Sequence, residues 1–226
     1  MRVEDIAVKH NGNAKAIEAL DRILEGNLPM MNPVVIVGNI GTGKSYILKA
    51  VGDVLGFRQG MQDVKLMRCE EFVNLYIEAL KADSVANFRN RMTMGVNAFL
   101  LDDVDYLVEK SAAAFELTQR IENLMQCHVK IVLTSSMPIS CLRKDGATKQ
   151  LGSKISEGVE LNLSCPDTES RIAIIADILN RAGESLPRGM IEGIAMSVER
   201  DLHCLVGQVR KAILDARLNK AKEIGK

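Results

Sequence analysis

The stretch Val34-Val35-Ile36-Val37-Gly38-Asn39-Ile40-Gly41-Thr42-Gly43-Lys44-Ser45 decides how this 226-residue chain is read. Four apolar residues lead into a G-x-x-x-x-G-K-S run, and a helical pattern from Tyr46 to Leu55 follows. Strand, glycine-rich loop and helix in that order form a phosphate-binding context. Glycines leave room for main-chain N–H groups to converge on phosphate oxygens, where a Cβ would block the approach. The helix that follows points its positive end at the anion. In this reading Gly38, Asn39, Ile40, Gly41, Thr42 and Gly43 form the cradle. Lys44 reaches the β- and γ-phosphates, and the Ser45 hydroxyl ligates Mg²⁺. The expected ligand is a nucleoside triphosphate with Mg²⁺.

A second signal completes the first. Ala98-Phe99-Leu100-Leu101-Asp102-Asp103 is an apolar strand ending in two carboxylates. Acids at the C-terminal end of a buried parallel strand lie at the ligand-binding edge of the sheet. Asp102 is then a metal ligand through water, and Asp103 orients or deprotonates the attacking water, with Lys44 as its catalytic companion. Thr134-Ser135-Ser136 ends the next apolar strand. Ser136 there either bonds the γ-phosphate or lytic water, or serves only the turn before Pro138.

Strand and helix signals alternate through the first two thirds of the chain. Strands are expected near Val64 to Met67, Ala98 to Leu101, Lys130 to Thr134 and Val159 to Leu163. Helices are expected at about Cys69 to Lys81, Ser84 to Met92 and Ala112 to Met125, with Phe72, Val73, Tyr76, Ile77 and Leu80 on one stripe. A loop rich in Lys, Gly and Ser precedes the last strand. This rhythm predicts an α/β fold, a parallel sheet with helices on both faces. After Pro166 only helices are expected, at about 168–182, 187–197 and 201–220, with Leu202, Leu205, Val209, Ile213 and Leu214 as the last one's buried stripe. The division is a nucleotide-binding base, 1–165, and a small all-helical lid, 166–226.

Composition sets limits. Apolar residues make up 47% and charged residues 26%, as in ordinary soluble domains. No apolar run approaches the ~18 residues of a membrane span, so no membrane partner is expected. The start, MRVEDIAVKHNGN, lacks an apolar signal region, and a cytoplasmic location is expected. Five cysteines without C-x-x-C spacing read as reduced thiols. With 29 basic and 29 acidic residues, any nucleic-acid contact must use a local patch. Arg210, Lys211, Arg217, Lys220, Lys222 and Lys226 form the one mild concentration, which a solvated helix face explains as well.

Taken together these residues resemble the AAA+ ATPase module of the bacterial replication initiator DnaA family, over nearly the whole chain. The resemblance lies in Glu71-Phe72-Val73, Glu78-Ala79-Leu80 and Phe88-Arg89, ahead of Phe99-Leu100-Leu101-Asp102-Asp103. It continues in Ile131-Val132-Leu133-Thr134-Ser135 and Pro166-Asp167-Thr168-Glu169-Ser170-Arg171-Ile172-Ala173-Ile174. It implies a P-loop NTPase of AAA+ type that binds ATP/ADP and Mg²⁺, with the Asn13 region wrapping the adenine. It implies self-association or docking to another AAA+ subunit, with replication or regulatory proteins as further partners. It also implies single-stranded DNA near Lys110 and the helices between Cys69 and Met92.

The departures from the family pattern are specific. Lys154 stands where an arginine finger is expected, and Gln150 where a second arginine is expected. His203 stands at the lid arginine that senses the γ-phosphate, with Arg210 two turns further along. His203 is read as either a degenerate sensor or a plain lid histidine. Ser136 replaces an aspartate, and Ala112 a DNA-contacting basic residue. The chain stops at Lys226, with no counterpart of the family's duplex-reading helix-turn-helix. An arginine finger contributes about 10³ to 10⁵ in rate, and lysine lacks its planar fork. The expectation is tight nucleotide binding with slow hydrolysis, in replication initiation or its regulation. The alternative is a hydrolysis-poor module that works as a protein-interaction scaffold without DNA.

Overall fold

A computed structural model describes residues 1–26, 31–59, 63–198 and 201–224. The apolar runs form one five-stranded sheet, β1 (Val34–Val37), β2 (Val64–Arg68), β3 (Ala98–Asp102), β4 (Lys130–Ser135) and β5 (Val159–Asn162), in the order β2-β3-β4-β1-β5. Every neighbouring pair is parallel. β1 and β3 are buried along their full length, because helices cover both faces and leave no solvated side to alternate toward.

Each face has its own core. Val35, Val37, Phe99, Leu101, Ile131 and Leu133 point to one side, against α3 (Cys69–Lys81), α4 (Val85–Thr93) and α5 (Ser111–Gln126). Val34, Ile36, Ala98, Leu100 and Val132 point to the other, against α1 (Ala14–Leu24) and α2 (Lys44–Gln59). The period of two along a strand makes this partition automatic. A third cluster, Ile175, Leu179, Ala195, Val198, Leu205 and Val209, is built from α8 (Thr168–Ala182), α9 (Arg188–Ser197) with its C-cap Val198, and α10 (Leu202–Ile224).

The start of α8 shows how the last three helices are held. Asp167 caps α8, its Oδ1 accepting from Ser170 N at 2.8 Å, and Gly183 ends the helix at φ +65°. The buried Arg171 guanidinium donates to the carbonyls of Ala195 at 2.7 Å and Pro166 at 2.9 Å, and to Thr168 Oγ1 at 2.8 Å. One side chain thus joins α8, α9 and the connection to the sheet.

Several details differ from the sequence expectation. The helix after the glycine loop begins at Lys44 and runs to Gln59, longer than Tyr46 to Leu55. α1 was not anticipated; its Ala16, Ile17, Leu20 and Leu24 make a buried stripe, but Asp21 sits among them, buried because its carboxylate accepts from Val3 N at 2.7 Å. The loop before β5 contains α6 (Ile139–Leu142) and α7 (Lys149–Ile155). α7 is short and carries Gly152, a poor helix former. Gly152 is needed there because a Cβ would lie 2.7 Å from Arg143 N. Ile77 and Leu80 are exposed on the outer flank of α3, since α4 covers the Phe72–Tyr76 side, where Phe88 meets the Phe72 ring edge-on and the Tyr76 ring at a tilt. Leu214 is also exposed, a residue past the stripe that faces α8. Lys226 and the side chains of Lys220 and Lys222 lie outside the described residues. Among the described residues no helix is long and apolar enough to cross a membrane.

Candidate functional site

The glycine loop leaves the buried end of β1 at the carboxyl edge of the sheet. Gly38 N donates to Ser135 O at 3.2 Å, so the loop springs from the β1–β4 pairing itself. Gly41 and Gly43 take φ +81° and +90°, values that only glycine adopts without strain. A Cβ at Gly38 would lie 2.8 Å from Leu163 O and from Thr42 Oγ1. Thr42 Oγ1 and N both donate to Asn39 O, at 2.8 and 3.3 Å. Lys44 is buried, its Nζ donating to Gly38 O at 2.8 Å and Asn39 O at 3.1 Å. Asn39 and Ile40 of the loop and Ser45 in the first turn of α2 are exposed. The loop is a curved cradle with an ammonium braced across it.

The acidic pair stands at the same edge, two strands away. β4 separates β1 from β3, so the loop and the acids are about 10 Å apart by strand spacing. Asp102 is buried and accepts from Thr134 Oγ1 at 2.5 Å. Asp103 lies in the left-handed region at φ 59°, which an aspartate tolerates better than most residues. Its backbone N–H donates to the same Thr134 hydroxyl at 2.8 Å. Thr134 therefore fixes both acids from the neighbouring strand. Burial, then the charges of Asp102 and Asp105, push the Asp103 carboxyl above its usual range, while Lys44 and Arg68 draw it back. Ser136 is fully engaged, its N donating to Asp105 Oδ1 at 2.9 Å and its Oγ to Asp105 Oδ2. Asp105 had no signal in the sequence beyond lying close to the acidic pair.

A cleft of about 430 Å³ opens beside the cradle. Ala7 and Val8 of the N-terminal segment, Thr42 and Gly43 of the loop, Ile174 and Ile178 of α8, and Val206 of α10 line it. Asn13, His203 and Arg210 reach it as well; Asp102, Asp103, Ser136 and Lys154 do not. Asn13 shapes the segment rather than pointing freely, since Oδ1 accepts from His10 N at 2.8 Å and Nδ2 donates to Val8 O at 3.0 Å. His10 is buried, which pushes its pKa down, and its Nδ1 accepts from Gly12 N at 3.1 Å. His203 and Arg210 are exposed on one face of α10, with Gly207 between them. The helix start is docked on the cradle, Leu202 N donating to Gly41 O at 2.9 Å. Asp201 is so close that a Cβ on Gly41 would meet its Oδ1 at 2.6 Å. Lys154 lies on α7, its Nζ paired with Glu157 at 3.0 and 3.1 Å.

The donor set suits a polyphosphate and a hard cation. A Cβ at Gly38 or Gly41 would collide with Leu163 or Asp201, so glycine keeps the loop in this shape, Lys44 offers an ammonium, and Ser45 and Asp102 offer oxygens. Among the described residues no cluster of three His, Cys, Asp or Glu side chains assembles. Mg²⁺ held by one or two protein oxygens and substrate phosphates needs no such cluster.

Comparison with known proteins agrees with this architecture. The Bacterial DnaA ATPase domain model matches residues 4–162. A chromosomal replication initiator DnaA of Thermus thermophilus is 30% identical over 209 residues, covering 92% of this chain and 47% of that protein. The Deinococcus radiodurans initiator is 28% identical over 218 residues, covering 96% and 46%. The chain thus spans about half the length of the curated relatives it matches. Domain III of the Thermotoga maritima initiator superposes with TM-score 0.89 at 24% identity, over 97% of this chain and 90% of that one. The AMPPCP-bound DnaA of Aquifex aeolicus gives TM-score 0.80 at 26% identity, over 98% and 69%. With its parallel sheet, its phosphate-loop signature and a family match across most of its length, the chain belongs to the bacterial DnaA ATPase-domain family.

Proposed function

We propose that the chain is an ATP/ADP-binding AAA+ switch of the initiator type, acting in replication initiation or its regulation, with slow hydrolysis. The observation that supports it most is the common sheet edge shared by the glycine cradle with Lys44 and the Thr134-fixed acids. In this reading the polyphosphate lies on the amides of residues 38–45, with the Lys44 ammonium on its β- and γ-phosphates. Ser45, and Asp102 through water, would hold Mg²⁺, which would supply charge neutralisation to the phosphates. Asp103 orients or deprotonates the attacking water. The base and ribose take the apolar cleft between Val8, Ile174 and Ile178, inside the segment that Asn13 shapes. Residues 166–226 act as the lid over the base, 1–165, with His203 and Arg210 facing the nucleotide. Relatives support the ligand, as a DnaA bound to AMPPCP and single-stranded DNA is 25% identical with TM-score 0.81.

Slow turnover is supported by what the polar groups already do. The Ser136 hydroxyl is committed to Asp105 and the Lys154 ammonium to Glu157. Lys110, a sequence neighbour of the expected DNA contact at Ala112, lies over the Tyr106 ring at 4.0 Å and donates to Tyr106 O at 2.8 Å. The same commitments favour the second reading, a nucleotide-holding module that works through protein partners without DNA. Light scattering separates the two. The switch is expected to self-associate with ATP and not with ADP, at a turnover well below the roughly 10 per second of a typical enzyme. Identical scattering with both nucleotides would favour the scaffold, and turnover near the typical value would remove the argument for slow chemistry.

A further inference from the structure

The carbonyl oxygen of Ile6 joins three elements. Tyr46, in the first turn of α2 and directly after Ser45, donates its hydroxyl to it at 2.9 Å. Arg181, near the end of α8, donates Nη2 to the same oxygen at 2.8 Å, and its Nε pairs with Asp177 at 2.7 Å. A carbonyl oxygen has two lone pairs, and both are used here. Ala7, Val8, Tyr46, Asp177 and Arg181 all line the cleft, so the junction closes part of its wall. A second tie, Asn11 Nδ2 to Asp167 Oδ2 at 2.7 Å, fastens the same segment to the start of α8. The Tyr46 and Arg181 bonds are solvent-exposed, unlike the buried Asn13–His10 bond within the segment.

We propose that Tyr46 and Arg181 are positioning residues that clasp the N-terminal segment between α2 and α8, and so set how fast a nucleotide enters and leaves the cleft. The proposal rests on the nucleotide reading above. Hydrogen bonds shared with water break readily, so the clasp opens often while the segment's inner bonds keep its shape. Passage in either direction requires the open form. Weakening the clasp raises the open population and speeds association and dissociation alike, leaving their ratio nearly unchanged. A residue that instead touched the bound nucleotide would change dissociation and affinity together.

Tyr46→Phe removes one donor and keeps the ring. Arg181→Met removes the other, together with the Asp177 pair, and keeps most of the stem. Stopped-flow binding of the fluorescent analogue mant-ADP with Mg²⁺ gives both rate constants. Each variant is expected to raise both about threefold and the double variant about tenfold, with Kd within about twofold of the parent, as befits exposed single bonds. Hydrogen exchange on the ligand-free chain is expected to show faster exchange in residues 6–10 of the double variant. Unchanged rates in the double variant would overturn the clasp, as would faster dissociation with a proportional loss of affinity. A parent chain with no saturable mant-ADP signal would overturn the nucleotide reading instead, and hydrogen exchange would still test the clasp.

Discussion

Lys44→Ala is expected to weaken Mg–ADP binding about a hundredfold while the chain stays folded. Charge-assisted hydrogen bonds contribute about 1.5–3 kcal/mol each, and a hundredfold in Kd corresponds to about 2.7 kcal/mol. The Lys44 ammonium is buried and braced on Gly38 O and Asn39 O, which prepares it in place for an anion on the cradle. The loop's shape has other supports. Thr42 donates to Asn39 O, Gly38 N donates to Ser135 O, and Gly41 and Gly43 take their positive φ without strain. The urea midpoint should therefore move little. Calorimetric titration of the variant and parent side by side checks this, and equal affinities would remove the role assigned to Lys44.

Glu116→Gln is expected to destabilise the fold by about 3 kcal/mol, the low end of the cost of breaking a buried ion pair. Glu116 on α5 is 1% exposed and serves two arginines. Arg89 on α4 grips it with two bonds, Nε at 3.0 Å and Nη2 at 2.8 Å. Arg120 Nε lies 3.1 Å from Oε1 as an ion pair but makes no hydrogen bond. Burial pushes the Arg120 pKa down, and the Glu116 charge opposes that shift. Without the carboxylate, half-exposed Arg89 recovers water, whereas Arg120, 10% exposed, keeps an uncompensated charge. The loss also removes the polar tie between α4 and α5, leaving Phe88 and Met92 to hold α4 on the core. Urea unfolding checks the magnitude. A companion Glu116→Leu, Arg120→Leu double variant should recover much of the loss, because an apolar pair of similar volume avoids both buried charges. A cost for Glu116→Gln under about 1 kcal/mol would show that the site is better hydrated than its burial implies.

The sheet was legible because its signals are local. β1, the glycine loop and the start of α2 are contiguous, and the Asp102–Asp103 pair ends a run of apolar residues buried on both faces. Period and capping gave α3, α5 and α8 within a residue or two. α7 escaped because it is seven residues long and built around Gly152, a choice imposed by the neighbouring Arg143 backbone. α1 escaped because buried Asp21 interrupts its apolar stripe, and the Val3 N–H that satisfies it belongs to a separate turn. The candidate site divides the same way. Its residue types were legible, but their engagements were not. Ser136 with Asp105, Thr134 with both acids, and Asp201 against Gly41 join segments tens to more than a hundred residues apart. No spacing rule in a single sequence announces such pairs.

The cleft beside the glycine cradle is expected to take a Mg-bound adenine nucleotide. Isothermal titration of the chain with ADP, with and without Mg²⁺, tests it most directly. One saturable site of micromolar affinity or tighter, about −8 kcal/mol, is expected, and it should weaken when Mg²⁺ is chelated. No saturable heat up to about 1 mM ADP, where only about −4 kcal/mol would be needed, would contradict it.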